Sequence, residues 1–221
     1  MYTAVIVEPR CHKALQFVLN NFYDNLSNEW NIILFHGNQN EQFSRNIINN
    51  FSNKDRIKMI NLNVDNLTIT QYNNLFMNNK SFYDKIPTET FLVFQTDTMI
   101  FPRYKNYINK FLKYDYVGAP WNHTPKNNQN VGNGGLSLRK KSKMLEIMDK
   151  DPNKNCPEDV YFSCSNYVSL YKPSFEDAQY FSIEWIYSNQ SFGCHKCWNY
   201  IDNQILIQTY PSIADIIRLY K

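Results

Sequence analysis

No apolar stretch of the sequence is long enough to cross a bilayer, and residues 1–7 lack the basic region and long apolar core of an export signal. These two absences predict a cytoplasmic protein without a transmembrane segment. Charge is scarce too. Asp, Glu, Lys and Arg make up 19% of the 221 residues and leave a formal charge of +3, too mild for the clustered positive field that nucleic-acid binding needs. The one dense run, Arg139, Lys140 and Lys141 with Lys143, reads as the solvated start of a helix. The five cysteines are an odd number without an export signal, which predicts reduced thiols rather than a disulfide framework. Cys194 and Cys197 have C-x-x-C spacing, but Cys156 and Cys164 form no second tight pair, so a structural zinc is short of two ligands.

Apolar material is plentiful: 43% of the chain is hydrophobic and 16% aromatic, enough for a substantial core in a length that fits one domain, residues 1–221. The mean hydropathy is nonetheless −0.54, because Asn and Tyr supply the polar surface. The Asn pairs at 49–50, 73–74, 78–79 and 127–128 fit an AT-rich source genome and read as surface or loop.

Along the first half, strand and helix signals alternate. Residues 3–7 form a β-branched run that ends in Glu8-Pro9-Arg10. Leu15, Val18, Leu19, Phe22 and Leu26 then recur at helical spacing. A second strand at 31–35 closes on His36-Gly37, a second helix is marked by Phe43, Ile47 and Phe51, and a third strand covers 57–62. This β-α-β-α-β order predicts an α/β fold with a mostly parallel sheet and helices on both faces. Residues 91–94 form a continuous apolar run, as in a central strand buried on both sides, and stop abruptly at Gln95-Thr96-Asp97-Thr98. Ligands of open α/β sheets bind beyond the carboxyl ends of strands, which puts Asp97 where chemistry is usually done. Helical spacing at 104–112 and strands at 114–118 and 136–138 follow. A helix from Pro157 follows, with Glu158 and Asp159 in its first turn.

Residues 91–101, FLVFQTDTMIF, resemble the strand and D-x-D region of GT-A, Rossmann-like glycosyltransferases. In that family two aspartates one residue apart hold a divalent metal against the diphosphate of a sugar nucleotide. Asp97 matches the second aspartate, and Gln95 stands where the first would be. Residues 131–139, VGNGGLSLR, are similar to the NGG stretch of galactosyltransferase-like enzymes. Residues 157–162, PEDVYF, resemble an E-D-V element facing the acceptor. Residues 192–198, FGCHKCW, resemble a late element whose histidine completes the metal shell and whose lysine meets phosphate. With YDYVGAPW at 114–121, the chain looks like a poorly characterised group of glycosyltransferase-like domains.

The resemblance implies a metal-dependent transfer from a nucleotide-diphosphate sugar, with UDP the first choice, to a hydroxyl of a glycan, protein or lipid-linked acceptor. It implies Mn2+ or Mg2+ on Asp97 and His195, and donor contacts from Gln95, Thr96 and Lys196. Glu8, Arg10, His36 and Gly37 flank the nucleotide in this reading; the alternative for Glu8 and Arg10 is a turn closed by a surface ion pair. Asn133, Gly134, Gly135, Trp121 and Trp198 line the sugar and acceptor sites, with the core as the alternative place for the Trp121 ring. Inverting transfer needs a base opposite the leaving group, for which Asp159 is the first candidate and Glu158 the second; one of them can instead cap the helix, Glu158 the more so. Two other readings stand beside this one: a catalytically degenerate nucleotide- or glycan-binding domain, suggested by Gln95, and a zinc-binding regulator built on Cys194 and Cys197.

Overall fold

A computed structural model describes residues 1–122 and 131–221. Asn127 and Asn128 lie outside the described residues. Strands β1 (Tyr2–Val7), β2 (Trp30–His36), β3 (Ile57–Asn61) and β4 (Thr90–Phe94) run parallel, in the spatial order β3-β2-β1-β4. The sheet continues through β7 (Leu136–Lys140), antiparallel to β4, to the short edge strand β6 (Tyr116–Val117). A smaller sheet is ordered β5 (Thr98–Ile100), β9 (Gly193–His195), β8 (Ser182–Ile183), with β5 and β9 antiparallel.

The alternation of side chains along the strands builds two cores, one on each face of the large sheet. Ala4, Ile6, Ile32, Leu34, Leu92 and Phe94 pack with Leu15, Val18, Leu19 and Phe22 of α1 (Leu15–Asn25), and with α9 (Ile213–Tyr220) through Ile213, Ile216 and Ile217. Val5, Val7, Ile33, Phe35, Phe91 and Val93 face the other way, onto α3 (Ile69–Asn78), α4 (Lys80–Asp84), α5 (Lys141–Lys150) and α6 (Glu158–Ser163). Each fully buried Leu, Ile or Phe contributes about 1.5–3 kcal/mol. Helices therefore cover both faces of a mostly parallel sheet. The remaining helices are α2 (Glu41–Ile48), α7 (Phe175–Ala178) and α8 (Asn203–Thr209), and none among the described residues is long and apolar enough to cross a membrane.

Two local expectations are corrected. The segment at 104–112 is not an α-helix: Pro102–Lys110 forms a 3₁₀ helix. The spacing is three rather than 3.6: the tilted rings of Tyr104 and Tyr107 lie with centroids 5.2 Å apart, and Ile108 and Phe111 are the buried positions. The charge run at 139–143 does not begin outside the fold. Arg139 is a residue of β7 with 0% exposure, and α5 starts only at Lys141.

The topology gathers one edge. The carboxyl ends of β1 and β4 deliver Glu8 and Gln95-Thr96-Asp97 to it. Because β7 is antiparallel, the segment before it, Gly134-Gly135, arrives at that same edge.

Candidate active site

A cleft of about 450 Å3 opens at this edge. Among the described residues its walls include Glu8, Arg10, Gln95, Thr96, Asp97, Asn133, Gly134, Gly135, Glu158, Asp159, His195 and Lys196, together with Tyr72 and residues 66–69 at the start of α3. Twelve of the sixteen residues singled out from the sequence thus share one concavity. His36, Gly37, Trp121 and Trp198 are not among its lining residues.

Asp97 and His195 meet because β5 and β9 pair in register. Thr98 lies opposite His195, and the Lys196 backbone N–H donates to Asp97 O at 2.8 Å. His195 Nε2 then stands 3.4 Å from Asp97 Oδ1. On its other side, His195 Nδ1 is 3.1 Å from Glu184 Oε1. Both ring nitrogens and Asp97 Oδ1 are buried, and none makes an aligned hydrogen bond. Burial alone would depress the imidazole pKa, but the Asp97 and Glu184 carboxylates outweigh it and push His195 up to about 9. Burial alone would raise Asp97; His195 and Lys196 outweigh it and hold its carboxyl below the usual value. Lys196 has left-handed backbone, φ 34° and ψ 30°, a conformation that costs a non-glycine residue about 1–3 kcal/mol. It directs Nζ to within 3.7 Å of Glu184 Oε1.

Gly135 is required here by close approach rather than by its φ. A Cβ on it would stand 2.3 Å from His195 Nε2, so only glycine lets the loop lie on the imidazole face. At Gly134 a Cβ would meet Glu158 Oε1 at 2.5 Å. The loop is thereby sandwiched between β9 and the first turn of α6.

The two carboxylates of that turn have different fates. Glu158 is bound by Arg139 through two nitrogens, Nη1 to Oε2 at 2.7 Å and Nη2 to Oε1 at 3.0 Å, with side-chain exposures of 5% and 0%. The guanidinium is enclosed by the rings of Phe76, Tyr116 and Phe162, 5.1 to 5.8 Å from their centroids. Burial opposes this charge, and Glu158 outweighs burial and raises the Arg139 pKa further. Glu158 is therefore neither a helix cap nor a base free to act. Asp159 is half-buried, with Oδ2 accepting from Gly134 N at 3.1 Å and Oδ1 from Val160 N at 2.9 Å. Burial, then the charge of Glu158, pushes its pKa up.

The Arg139–Glu158 pair carries a stability prediction. Glu158→Gln is expected to lower unfolding free energy by about 3–5 kcal/mol, because it leaves a buried guanidinium without its counter-charge. Urea unfolding followed by circular dichroism measures it, and a loss under about 1 kcal/mol would refute the burial argument.

Gln95 keeps its amide in the cleft wall, where Nε2 donates to Tyr72 Oη at 3.1 Å. Its backbone carbonyl accepts from Thr98 Oγ1 at 2.7 Å and so fixes the turn carrying Asp97. Thr96 is buried beside Tyr220, whose hydroxyl burial pushes up to about 12. Glu8 is buried and binds Arg10 through both side-chain oxygens, at 2.8 Å each, and through Arg10 N at 2.9 Å. The ion-pair turn and the place in the cleft wall thus coexist.

The four residues outside the lining have local reasons. His36 ends β2 with Nδ1 hydrogen-bonded to Gly37 O at 2.8 Å. Gly37 N donates to Asn40 Oδ1, and Asn40 Nδ2 donates to the carbonyls of Glu8 and Arg10, at 2.8 and 2.9 Å. They fix the turn at Glu8 and Arg10 from behind. Trp121 lies against Gly132, where a Cβ would be 2.7 Å from the indole. Trp198 packs on the core beside Tyr220, ring centroids 5.3 Å apart. Cys194 and Cys197 are buried in that core, and burial raises the Cys194 thiol well above its usual value. Among the described residues no three His, Cys, Asp or Glu side chains converge as a metal-holding group.

Sequence reasoning misses four features that shape the site: Glu184, Tyr72, Asn40 and the buried role of Arg139. The sequence around Glu184, SIEWI, carries no pattern that announces a buried carboxylate.

Sheet order, an antiparallel strand beside the central one, and a cleft at the carboxyl ends define a GT-A-like α/β protein. A family model described as "Protein of unknown function (DUF5672)" matches residues 56–195, more than half of the chain, and the chain belongs to that family. Among solved structures it is similar to S. aureus TarS 1–349 in complex with UDP-GlcNAc, at 12% identity and TM-score 0.55, covering 98% of this chain and 66% of that one. It is also similar to the mannosyltransferase PcManGT from Pyrobaculum calidifontis in complex with GDP-Man and Mn2+, at 9% identity and TM-score 0.56, covering 77% of this chain and 53% of that one. At these identities the likeness is one of fold. The chain spans less than two thirds of the length of either. No curated protein matches the sequence.

Proposed function

We propose that this protein, as one domain, transfers a sugar from a nucleotide-diphosphate sugar to a hydroxyl acceptor. The carrying observation is the pair Asp97 Oδ1 and His195 Nε2, 3.4 Å apart, buried and without aligned partners in the wall of the cleft. That separation suits two neighbouring ligands of one Mn2+ or Mg2+ ion, at bond lengths of about 2.0–2.2 Å. With only two protein ligands the shell needs other oxygens, which a diphosphate supplies. The mixed carboxylate and imidazole set favours Mn2+ over Mg2+. Such an ion, when bound, would stabilise charge developing on the leaving diphosphate. The nucleotide sugars named for TarS and PcManGT support this donor class, and UDP remains the first nucleotide to test.

The chain's own groups supply the rest. Lys196 adds positive charge beside the phosphates, and Glu8 and Arg10 border the nucleotide with Gln95 and Thr96. Asn133, Gly134 and Gly135 border the sugar. Asp159 accepts the acceptor's hydroxyl proton as the new C–O bond forms and the bond to the diphosphate breaks, its electron pair leaving with the nucleotide; the anomeric centre inverts. The acceptor is a hydroxyl of a glycan, a protein or a lipid-linked sugar, and an acceptor panel distinguishes the three.

One observation favours a second reading. The first carboxylate of the metal motif is replaced by an amide that Tyr72 holds, as a binding domain without turnover would tolerate. A panel of sugar nucleotides with and without Mn2+ separates the two. Release of nucleoside diphosphate from at least one donor, only with metal, is the expected result. Thermal stabilisation by UDP without metal, and no product from any donor, would replace transfer by binding.

A further inference from the structure

We propose that Glu184 is a positioning residue which, through Asn133, couples His195 to the glycine loop in one polar relay; this rests on the reading of Asp97 and His195 as metal ligands. Glu184 directly follows β8, its side chain is 2% exposed, and no part of the transfer chemistry above uses it. Burying a carboxylate is costly unless it is paired. Among the described residues its partners all belong to the cleft wall. Oε1 stands 3.1 Å from His195 Nδ1, within reach of a hydrogen bond though not aligned for one, and 3.7 Å from Lys196 Nζ. Oε2 accepts from Asn133 Nδ2 at 2.6 Å. Asn133 Oδ1 in turn accepts from Gly135 N at 3.0 Å, and Gly135 lies against the His195 ring. The contacts close a ring: histidine, glutamate, asparagine, glycine, histidine.

The chemistry of this ring is directional. Only a carboxylate accepts on both of its ends. In the neutral imidazole that a metal ion would bind, an Nδ1–H turned to Glu184 would leave the Nε2 lone pair on the Asp97 side. That tautomer is the one a metal needs, and carboxylates placed behind ligating histidines are the usual means of fixing it. Asn133 is turned the same way. Its amide donates to Glu184 and so leaves its oxygen for Gly135, which holds the loop at the distance where only glycine clears the ring. A glutamine in place of Glu184 fills the same volume but has one donor end. It satisfies either His195 or Asn133, and the other is left donor against donor.

The relay can be reversed on paper, which gives its test. In the double variant Asn133→Asp with Glu184→Gln, the introduced amide accepts from His195 through its oxygen and donates through its nitrogen to the introduced carboxylate, which still accepts from Gly135. Total charge is unchanged. Mn2+ affinity of the full chain, measured with UDP by the electron paramagnetic resonance of free Mn2+, is expected to weaken roughly 10–100-fold in Glu184→Gln. Most of that loss is expected to return in the double variant, a recovery that a generic packing role would not produce. Unchanged affinity in Glu184→Gln, or a double variant as weak as the single one, overturns the relay. If the single variant does not fold, the double variant decides alone: folding and binding support the relay, failure overturns it. His195→Ala is measured in parallel. If it binds Mn2+ as tightly as the parent, the metal reading falls and the relay with it. If it is crippled while Glu184→Gln is not, the relay alone falls.

Discussion

Asp97→Ala and His195→Ala are each expected to lower Mn2+-dependent release of nucleoside diphosphate by about a thousandfold or more, a barrier increase of roughly 4 kcal/mol. The size follows from how few ligands the protein offers. A site with three or four protein ligands can lose one and keep its ion. Here Asp97 and His195 bring to the cleft buried atoms without aligned partners, and the rest of the shell must come with the donor. In the proposed site, removing either leaves a single protein ligand. The effect should fall on metal and donor together, because each completes the other's binding. Titration of Mn2+ at saturating UDP-sugar, and of UDP-sugar at saturating Mn2+, should show both apparent affinities weakened. A variant that turns over at the parental rate, with parental Mn2+ dependence, would remove the metal role from that residue. Gln95→Asp is informative beside them. It restores the two-carboxylate pattern while giving up the amide's donation to Tyr72.

Which parts of this arrangement are legible in the sequence follows from the range of the forces involved. The β-α-β-α-β start and the buried strand ending at Asp97 are local, set by side-chain period and by an abrupt change from apolar to polar, and both can be read directly. Asp97 and His195 are adjacent only because β5 and β9 pair, and no local pattern encodes that pairing; the likeness of FGCHKCW to a known element carries it. Arg139 is misread because a run of three basic residues looks solvated. The strand alternation that turns Arg139 inward, between Phe76, Tyr116 and Phe162, depends on three separate elements. That error propagates. With Arg139 on the surface, Glu158 is available as a cap or base, whereas the buried pair removes it from both roles. The tryptophans stand outside the cleft lining for a related reason. A Trp beside glycine and proline can stack on a ligand or fill the space a missing side chain leaves, and Trp121 does the second, against Gly132. Glu184 has no local signal at all, since its three partners lie 11 to 51 residues away along the chain.

Asp159→Asn is expected to reduce kcat by about 10²–10⁴-fold while donor binding persists. The prediction separates chemistry from structure because the stability terms nearly cancel. Asparagine can keep one of the two backbone hydrogen bonds, from Gly134 N or Val160 N, and loses the other, a cost of about 1 kcal/mol. Against that, it removes a carboxylate whose charge is disfavoured in the fold by burial and by Glu158. The melting temperature should therefore move little, in contrast to the large loss expected of Glu158→Gln. The pH dependence gives an independent handle. A base acts only when deprotonated, and the Asp159 pKa is raised. Parental kcat/KM should accordingly fall on acidification through a value above the usual aspartate range, and that limb should be missing from the residual activity of Asp159→Asn. A retained rate in this variant would take the base role from Asp159. Product anomeric configuration then decides what replaces it: with Glu158 held by Arg139, loss of the Asp159 role would leave neither carboxylate of the α6 first turn as the base, and retention of configuration becomes the outcome the site favours.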